Sequence, residues 1–169
     1  MDACVDFSVG NVLAAPLPKG CDVVTMNLDA MNHLRNPADW WALLTRACES
    51  LKDGGIFLFD INTQYRLLND WNYPEIIVKR NMTYVQLGSN PSKTGDFERR
   101  RLYMVVFLEE YRKITKHAVV VEQIAPSKER LFQELKNAGF SRVTERVWPD
   151  EIVRKHIFMK NRLFVTAEK

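Results

Sequence analysis

Glycine is scarce in this sequence, seven in 169 residues, and none of them form a Gly-x-Gly-x-Gly run. That removes the simplest way for backbone amides to close on a phosphate or carboxylate group. The three cysteines, Cys4, Cys21 and Cys48, make no Cys-x-x-Cys pair, and their odd number gives no closed disulfide framework. His33, His117 and His156 are too dispersed for zinc-ligand spacing. No apolar stretch approaches the ~20 residues of a membrane span. The start, Met1-Asp2-Ala3-Cys4-Val5-Asp6, lacks the basic and apolar regions of a signal peptide. Net charge is only +3, which gives a nucleic-acid partner no electrostatic support. Arg99-Arg100-Arg101 is surrounded by Asp96, Glu98, Glu109 and Glu110 and reads as the solvated face of a strand or turn. These absences predict a soluble, cytoplasmic protein with free thiols, no metal, no nucleic acid and no membrane.

What is present is a globular balance, 46% hydrophobic and 27% charged, suited to a single domain over 1–169. Residues 5–9 read as a short strand, followed by a connection punctuated by Pro16 and Pro18. Residues 22–26 are apolar and β-branched, the composition of a strand buried on both faces. Asn36-Pro37 opens a helix, with Asn36 as cap and Pro37 at the first helical position. Its apolar positions are Trp40, Trp41, Leu43, Leu44, Ala47, Cys48 and Leu51, and Gly54-Gly55 supplies a stop. Trp40 and Trp41 lie about 100° apart around the helix, so one faces the sheet and the other is partly exposed. Residues 56–59 are the next strand, closing on Asp60-Ile61-Asn62, and only a short helix fits at 65–68. Strand, helix, strand with tight turns is the parallel α/β pattern.

Residues 76–87, 97–108 and 111–124 then read as three long strands, an antiparallel meander inserted at about 74–124. A helix begins at Pro126-Ser127, buries Leu131, Phe132, Leu135 and Ala138, and ends at Gly139. Strands at 142–147 and 162–167 close the chain, with a short helix near 149–156 between them. An unrelated doubly wound domain would share the Asp-Val-Val and Gly-Gly features.

In this order, Val9-Gly10-Asn11, Asp22-Val23-Val24-Thr25-Met26-Asn27-Leu28-Asp29 through His33-Leu34, Leu51-Lys52-Asp53-Gly54-Gly55 into Ile56–Asn62, and Leu131-Phe132 through Ala138-Gly139-Phe140 resemble class I S-adenosylmethionine-dependent methyltransferases of the small-molecule type. The resemblance implies a partial Rossmann-like sheet, a parallel core with a closing antiparallel strand, plus the antiparallel insertion. It starts at the family's third strand. The glycine-rich cofactor segment on the first two strands has no counterpart here, and Asn11 stands where the family usually has an aspartate. The family's sheet runs third, second, first, fourth, fifth, seventh, sixth. Without the first two strands, residues 23–26 are left as an uncovered edge. Residues 5–9 could fill that slot, or two chains could pair there as a homodimer.

Methyl transfer is an in-line displacement needing alignment, and a base where the acceptor loses a proton. Ligands of α/β sheets sit at the carboxyl ends of the strands, here Asn27, Asp29, Asn32 and His33, then Asp60 and Asn62. The resemblance implies that Asn11, Val12, Asn27, Leu28 and Asp29 border the cofactor, S-adenosylmethionine. It also implies that Asp60 or Asn62 faces a small-molecule acceptor; Asn32, at the same strand ends, and Tyr103, on the insertion, are candidates to bind that acceptor, although alternating aromatics on a half-buried sheet are more often core. His33 is the candidate base, since imidazole titrates near neutrality; a structural residue at a helix start is its plainer reading. Asp29 and Asn32 serve equally well as turn caps. Tyr111 and Phe107 join Tyr103 on the insertion, whereas His117 and Glu122 differ by an odd number and cannot share a strand face. Two functional readings follow: a methyltransferase acting on a small molecule, incomplete in this chain, or a non-catalytic methyltransferase-like module that self-associates or binds a ligand or partner.

Overall fold

The computed structural model describes residues 5–111, 113–146 and 160–169. Its first sheet holds β1 (Cys21–Met26), β2 (Leu51–Asn62), β9 (Arg162–Glu168) and β8 (Arg142–Arg146), in that spatial order. β1 and β2 are parallel, whereas β9 runs antiparallel to both β2 and β8. This is the fourth, fifth, seventh, sixth run that the resemblance implies. β1 is its edge.

Helices α1 (Pro37–Ser50) and α3 (Lys128–Asn137) cover one face. Asn36 Oδ1 accepts from Ala38 N at 3.2 Å, and Pro37 sits in the first turn, so α1 starts as its sequence dictates. Trp40, Leu43, Leu44, Ala47 and Cys48 then fall on one buried face against Phe57, Phe59 and Ile61 of β2 and Leu163, Val165 and Ala167 of β9. Burying each large side chain stabilises by roughly 1.5–3 kcal/mol. Trp40 is fully buried and Trp41 only partly so, and both rings pack on Phe97. Burial raises the Cys48 thiol pKa. Ser127 Oγ caps α3 through Arg130 N at 3.3 Å, and Gly139, at φ 104°, provides the left-handed stop.

The other sheet is the antiparallel insertion. β3 (Glu75–Lys79), β4 (Met82–Gly88), β6 (Phe97–Glu110) and β7 (Lys113–Pro126) pair in sequence, with β5 (Ser92–Thr94) beside the start of β6. The base of the β6–β7 hairpin enters the core through Phe97 and Ile124, while its far end stands in solvent. α2 (Gln64–Asn69) links the two sheets.

Several expectations are corrected. Residues 5–9 form no strand and do not fill the slot beside β1: they make no ladder with its open edge, and Val5, Phe7 and Val9 stand exposed. β1 is not buried on both faces: Val23 is 49% exposed, since among the described residues the helices cover only one side. α1 passes into β2 at Leu51, and Gly54, at φ 75°, sits in the irregularity that shifts the β1–β2 register. The single strand expected at 76–87 is two, folded back at Arg80-Asn81. The helix expected near 149–156 and position 147 lie outside the described residues.

The arginine run is only in part a solvated face: Arg101 is exposed, but all three side chains are held by partners and Arg100 is buried. Arg99 and Arg101 grip Glu122 at 2.6 and 2.5 Å. Burial alone would raise the Glu122 pKa, but the Arg101 hydrogen bond and the Arg99, Arg101 and Arg35 charges hold it below the ordinary glutamate range. Arg100 is buried and donates to the Leu67, Leu68 and Ser89 carbonyls and to Asn72 Oδ1. It pins α2 and the following turn onto β6.

Arg100→Met should cost about 3 kcal/mol, because buried carbonyls lose their donors; urea denaturation should show a lower midpoint at unchanged slope. A loss under about 1 kcal/mol would mean the tether is dispensable. Glu122, with its pKa lowered on folding, adds stability above the ordinary glutamate value near ~4.3 and loses it as pH falls. Glu122→Gln should therefore flatten the acid limb of a stability-against-pH curve, and an unaltered limb would contradict the assignment.

Candidate functional site

The site forms where the parallel strands end. After β1 the chain turns through Leu28 and Asp29, both left-handed at φ 58° and 50°. Each such non-glycine residue costs on the order of 1 kcal/mol. Asp60 holds the turn: Oδ1 accepts from Leu28 N at 2.6 Å and Oδ2 from Asp29 N at 3.1 Å. A buried carboxylate needs compensation. Arg162, the first residue of β9, supplies it, with Nη1 3.2 Å from Asp60 Oδ2 and Nη2 paired with Asp29 Oδ1. The strand register sets Arg162 directly opposite Asn62, whose Oδ1 accepts from Arg162 Nε at 3.1 Å.

From this knot a line of amides runs to the insertion. Asn32, wholly buried, donates to the carbonyls of Asn62 and Ile124 and accepts from Asn62 N at 2.8 Å, joining β2 to β7. Asn62 Nδ2 donates to Gln123 Oε1 at 2.8 Å and to Asp29 Oδ2 at 3.1 Å. Gln123 Nε2 lies 2.5 Å from Asp29 Oδ2 and 3.2 Å from His33 Nε2.

Beside this network opens a cleft of about 990 Å³. Leu28, Asp29, His33 and Asn62 form one wall, and Leu102, Met104, Val121 and Gln123 from the inner face of the insertion form another. Tyr65, Trp71 and Tyr73 add aromatic surface, and Glu75 and Asp70 add carboxylates. Arg66 also lines the cleft and donates to the Lys160 carbonyl at 2.8 Å; burial first, then the neighbouring Arg162 charge, lower its pKa.

The structure thus brings Leu28, Asp29, His33 and Asn62 to one cleft. Asp60 does not line it, because its oxygens are committed to the turn and to Arg162. Asn32 is likewise committed inside the wall, where no atom reaches a ligand. Tyr103 belongs to the opposite face of β6 from Leu102 and Met104, as strand alternation requires, and so turns away from the cleft. Asn27 borders a separate hollow of about 140 Å³ with Asp60 and Phe164. Asn11 is exposed and its Oδ1 accepts from Leu13 N at 2.9 Å, capping its own turn; the Val12 carbonyl is held by Arg46 at 3.0 Å. Sequence reasoning missed Gln123 and Arg162. The first sits in an ordinary strand, and the second gains meaning only from the β2–β9 register.

No family model matches the sequence, and a search of curated proteins finds no match. Solved structures do match. An S-adenosylmethionine-dependent methyltransferase from Clostridium acetobutylicum is 17% identical with a TM-score of 0.74, the match covering 95% of this chain and 63% of that one. An amino pentose methyltransferase from Micromonospora echinaspora, solved with S-adenosylmethionine bound, is 16% identical with a TM-score of 0.64 over 95% and 63% of the two chains. A sugar N-methyltransferase from Streptoalloteichus is 14% identical with a TM-score of 0.64 over 95% and 60%. The chain therefore has the Rossmann-like fold of the S-adenosylmethionine-dependent small-molecule methyltransferases, over 63% or less of the length of these three structures.

Proposed function

We propose that this domain serves S-adenosylmethionine-dependent methyl transfer to a small polar molecule, its cleft forming the acceptor side of the site. The cleft itself carries the reading: it lies at the carboxyl ends of β1 and β2 and has the volume of a small-molecule pocket. Its mix of aromatic rings, carboxylates and amides suits a hydroxyl- and amine-bearing ring, as in the sugar-modifying enzymes of like fold. His33 faces that acceptor, Asn62 holds the cleft wall in place through its bonds to Arg162, Gln123 and Asp29, and Asn27, Leu28 and Asp29 make the rim toward the methyl donor.

The rim is not a cradle. Among the described residues, the Asp29 carboxylate is already engaged by Arg162, Gln123 and Asn62, and the Asn11 side chain by its own turn. The donor is therefore expected to bind this chain weakly.

The exposed β1 edge, with Val23 beside the open face of Leu58, supports a second reading as a self-associating module. The two readings are compatible, since a homodimer could also carry the cleft.

Calorimetry and thermal shift with S-adenosylmethionine and its demethylated product should show no low-micromolar binding; a saturable low-micromolar isotherm would refute the weak rim. Ligand-observed NMR with a panel of amino sugars should give saturation transfer that is lost in Asn62→Leu. A folded protein silent toward the whole panel would remove the acceptor reading. Light scattering across rising concentration should give a dimer mass that Val23→Lys returns to monomer, and a monomer throughout would dismiss the edge contact.

A further inference from the structure

We infer that Gln123 locks His33 in the tautomer protonated on Nδ1, so that His33 offers the cleft an N–H donor and not the base its residue type suggests. The functional part of this rests on the acceptor reading of the cleft. The assignment follows from groups whose hydrogen-bonding sense is fixed. A guanidinium only donates, so the Asn62 atom 3.1 Å from Arg162 Nε is the oxygen of that amide, and its other end is the NH2. That NH2 donates at 2.8 Å to the Gln123 oxygen, which leaves Gln123 Nε2 facing the Asp29 carboxylate at 2.5 Å. A carboxylate only accepts, so the two assignments of Gln123 agree.

The same Gln123 Nε2 lies 3.2 Å from His33 Nε2. An amide nitrogen has no lone pair to offer, so the ring nitrogen is the acceptor and carries no hydrogen. A proton placed there would point into the N–H of Gln123. Asp29 Oδ2, at 3.9 Å, is too far to bond such a proton. Neutral His33 therefore keeps its hydrogen on Nδ1, the nitrogen that bonds none of the described residues, on a ring that is half exposed and lines the cleft.

Gln123 is then a positioning residue. It stands on the inner face of β7, within the insertion, and sets the chemistry of a side chain that follows β1. The group that docks beside His33 is one that accepts a hydrogen bond, such as a hydroxyl, ether or carbonyl oxygen. An ammonium would find no acceptor on that ring.

Long-range proton–nitrogen correlation spectra of the labelled full chain test this, recorded about two pH units above the ordinary imidazole value near 6.5. His33→Gln identifies the signals. The expected result is a pyrrole-type Nδ1 and a pyridine-type Nε2 for His33, the reverse of the form that free histidine favours. Gln123→Met removes the amide while keeping the length of the side chain, and should return His33 to the Nε2–H form. A wild-type His33 with hydrogen on Nε2, or an Nδ1–H form that survives in a folded Gln123→Met protein, would overturn the inference. The wild-type spectrum decides even if the variant does not fold. No methyl transfer enters the readout, so failure here leaves the proposed function standing, and failure of that function leaves the tautomer standing.

Discussion

Arg162 neutralises two carboxylates at once, and the ends of three strands meet because it does. Asp60 closes β2, Asp29 follows β1, and the guanidinium reaches both from the first residue of β9. Without it, two negative groups would sit side by side, largely shielded from water, a situation that a protein relieves by moving apart or taking up a proton. The planar fork matters as much as the charge. Nη1 and Nη2 serve different carboxylates while Nε serves Asn62, a division that the single ammonium of lysine cannot reproduce. The left-handed Leu28-Asp29 turn then becomes tolerable, because its amides point at an Asp60 already held in place.

Everything nearer the cleft hangs from that knot. Asn62 passes its orientation to Gln123, and Asn32 stitches β2 to the base of β7. The insertion is joined at two levels: apolar contacts of Phe97 and Ile124 in the core, and this amide line just above it. On the far side, buried Arg100 draws α2 and its turn onto β6, and Gly88 permits the closeness, since a Cβ there would fall 2.1 Å from the Trp71 carbonyl. The two arginines thus brace the cleft from opposite sides, one at the parallel strand ends and one beneath the aromatic wall.

Much of this was legible in the residues. Asn36-Pro37, the apolar face from Trp40 to Cys48, Ser127 and Gly139 act locally: both helices start as read and α3 stops as read, whereas α1 ends at Ser50, ahead of the Gly54-Gly55 stop. The order of the parallel sheet followed from the resemblance carried by the strand and glycine-turn motifs. What stayed hidden depends on who stands opposite whom. Asp60 reads as a functional carboxylate at a strand end, but its oxygens are claimed by a turn on one neighbouring strand and an arginine on another. Tyr103 and Gln123 sit on strands of similar composition, and only the register settles which of them faces the cleft. The arginine run read as solvated because its partners, Glu122 and a set of carbonyls, are supplied by other segments. Residues 5–9 carried strand composition, but β-propensity does not decide whether a segment pairs with an open edge, and here it does not pair with β1.

Positioning by hydrogen bonds has a consequence that positioning by packing would not. A cavity wall made of apolar side chains keeps its shape only while atoms press on it from every side. The wall of Asp29, Asn62 and Gln123 is bonded within itself and to Arg162, so its geometry does not depend on what lies beyond Leu28, which is 71% exposed. The sheet can therefore leave β1 as an open edge and one face partly bare while the polar groups at its strand ends remain aligned. The weak side of such a site is enclosure and not alignment: a cleft open to solvent buries less of a ligand than a closed pocket and holds it less tightly, however well its wall is built.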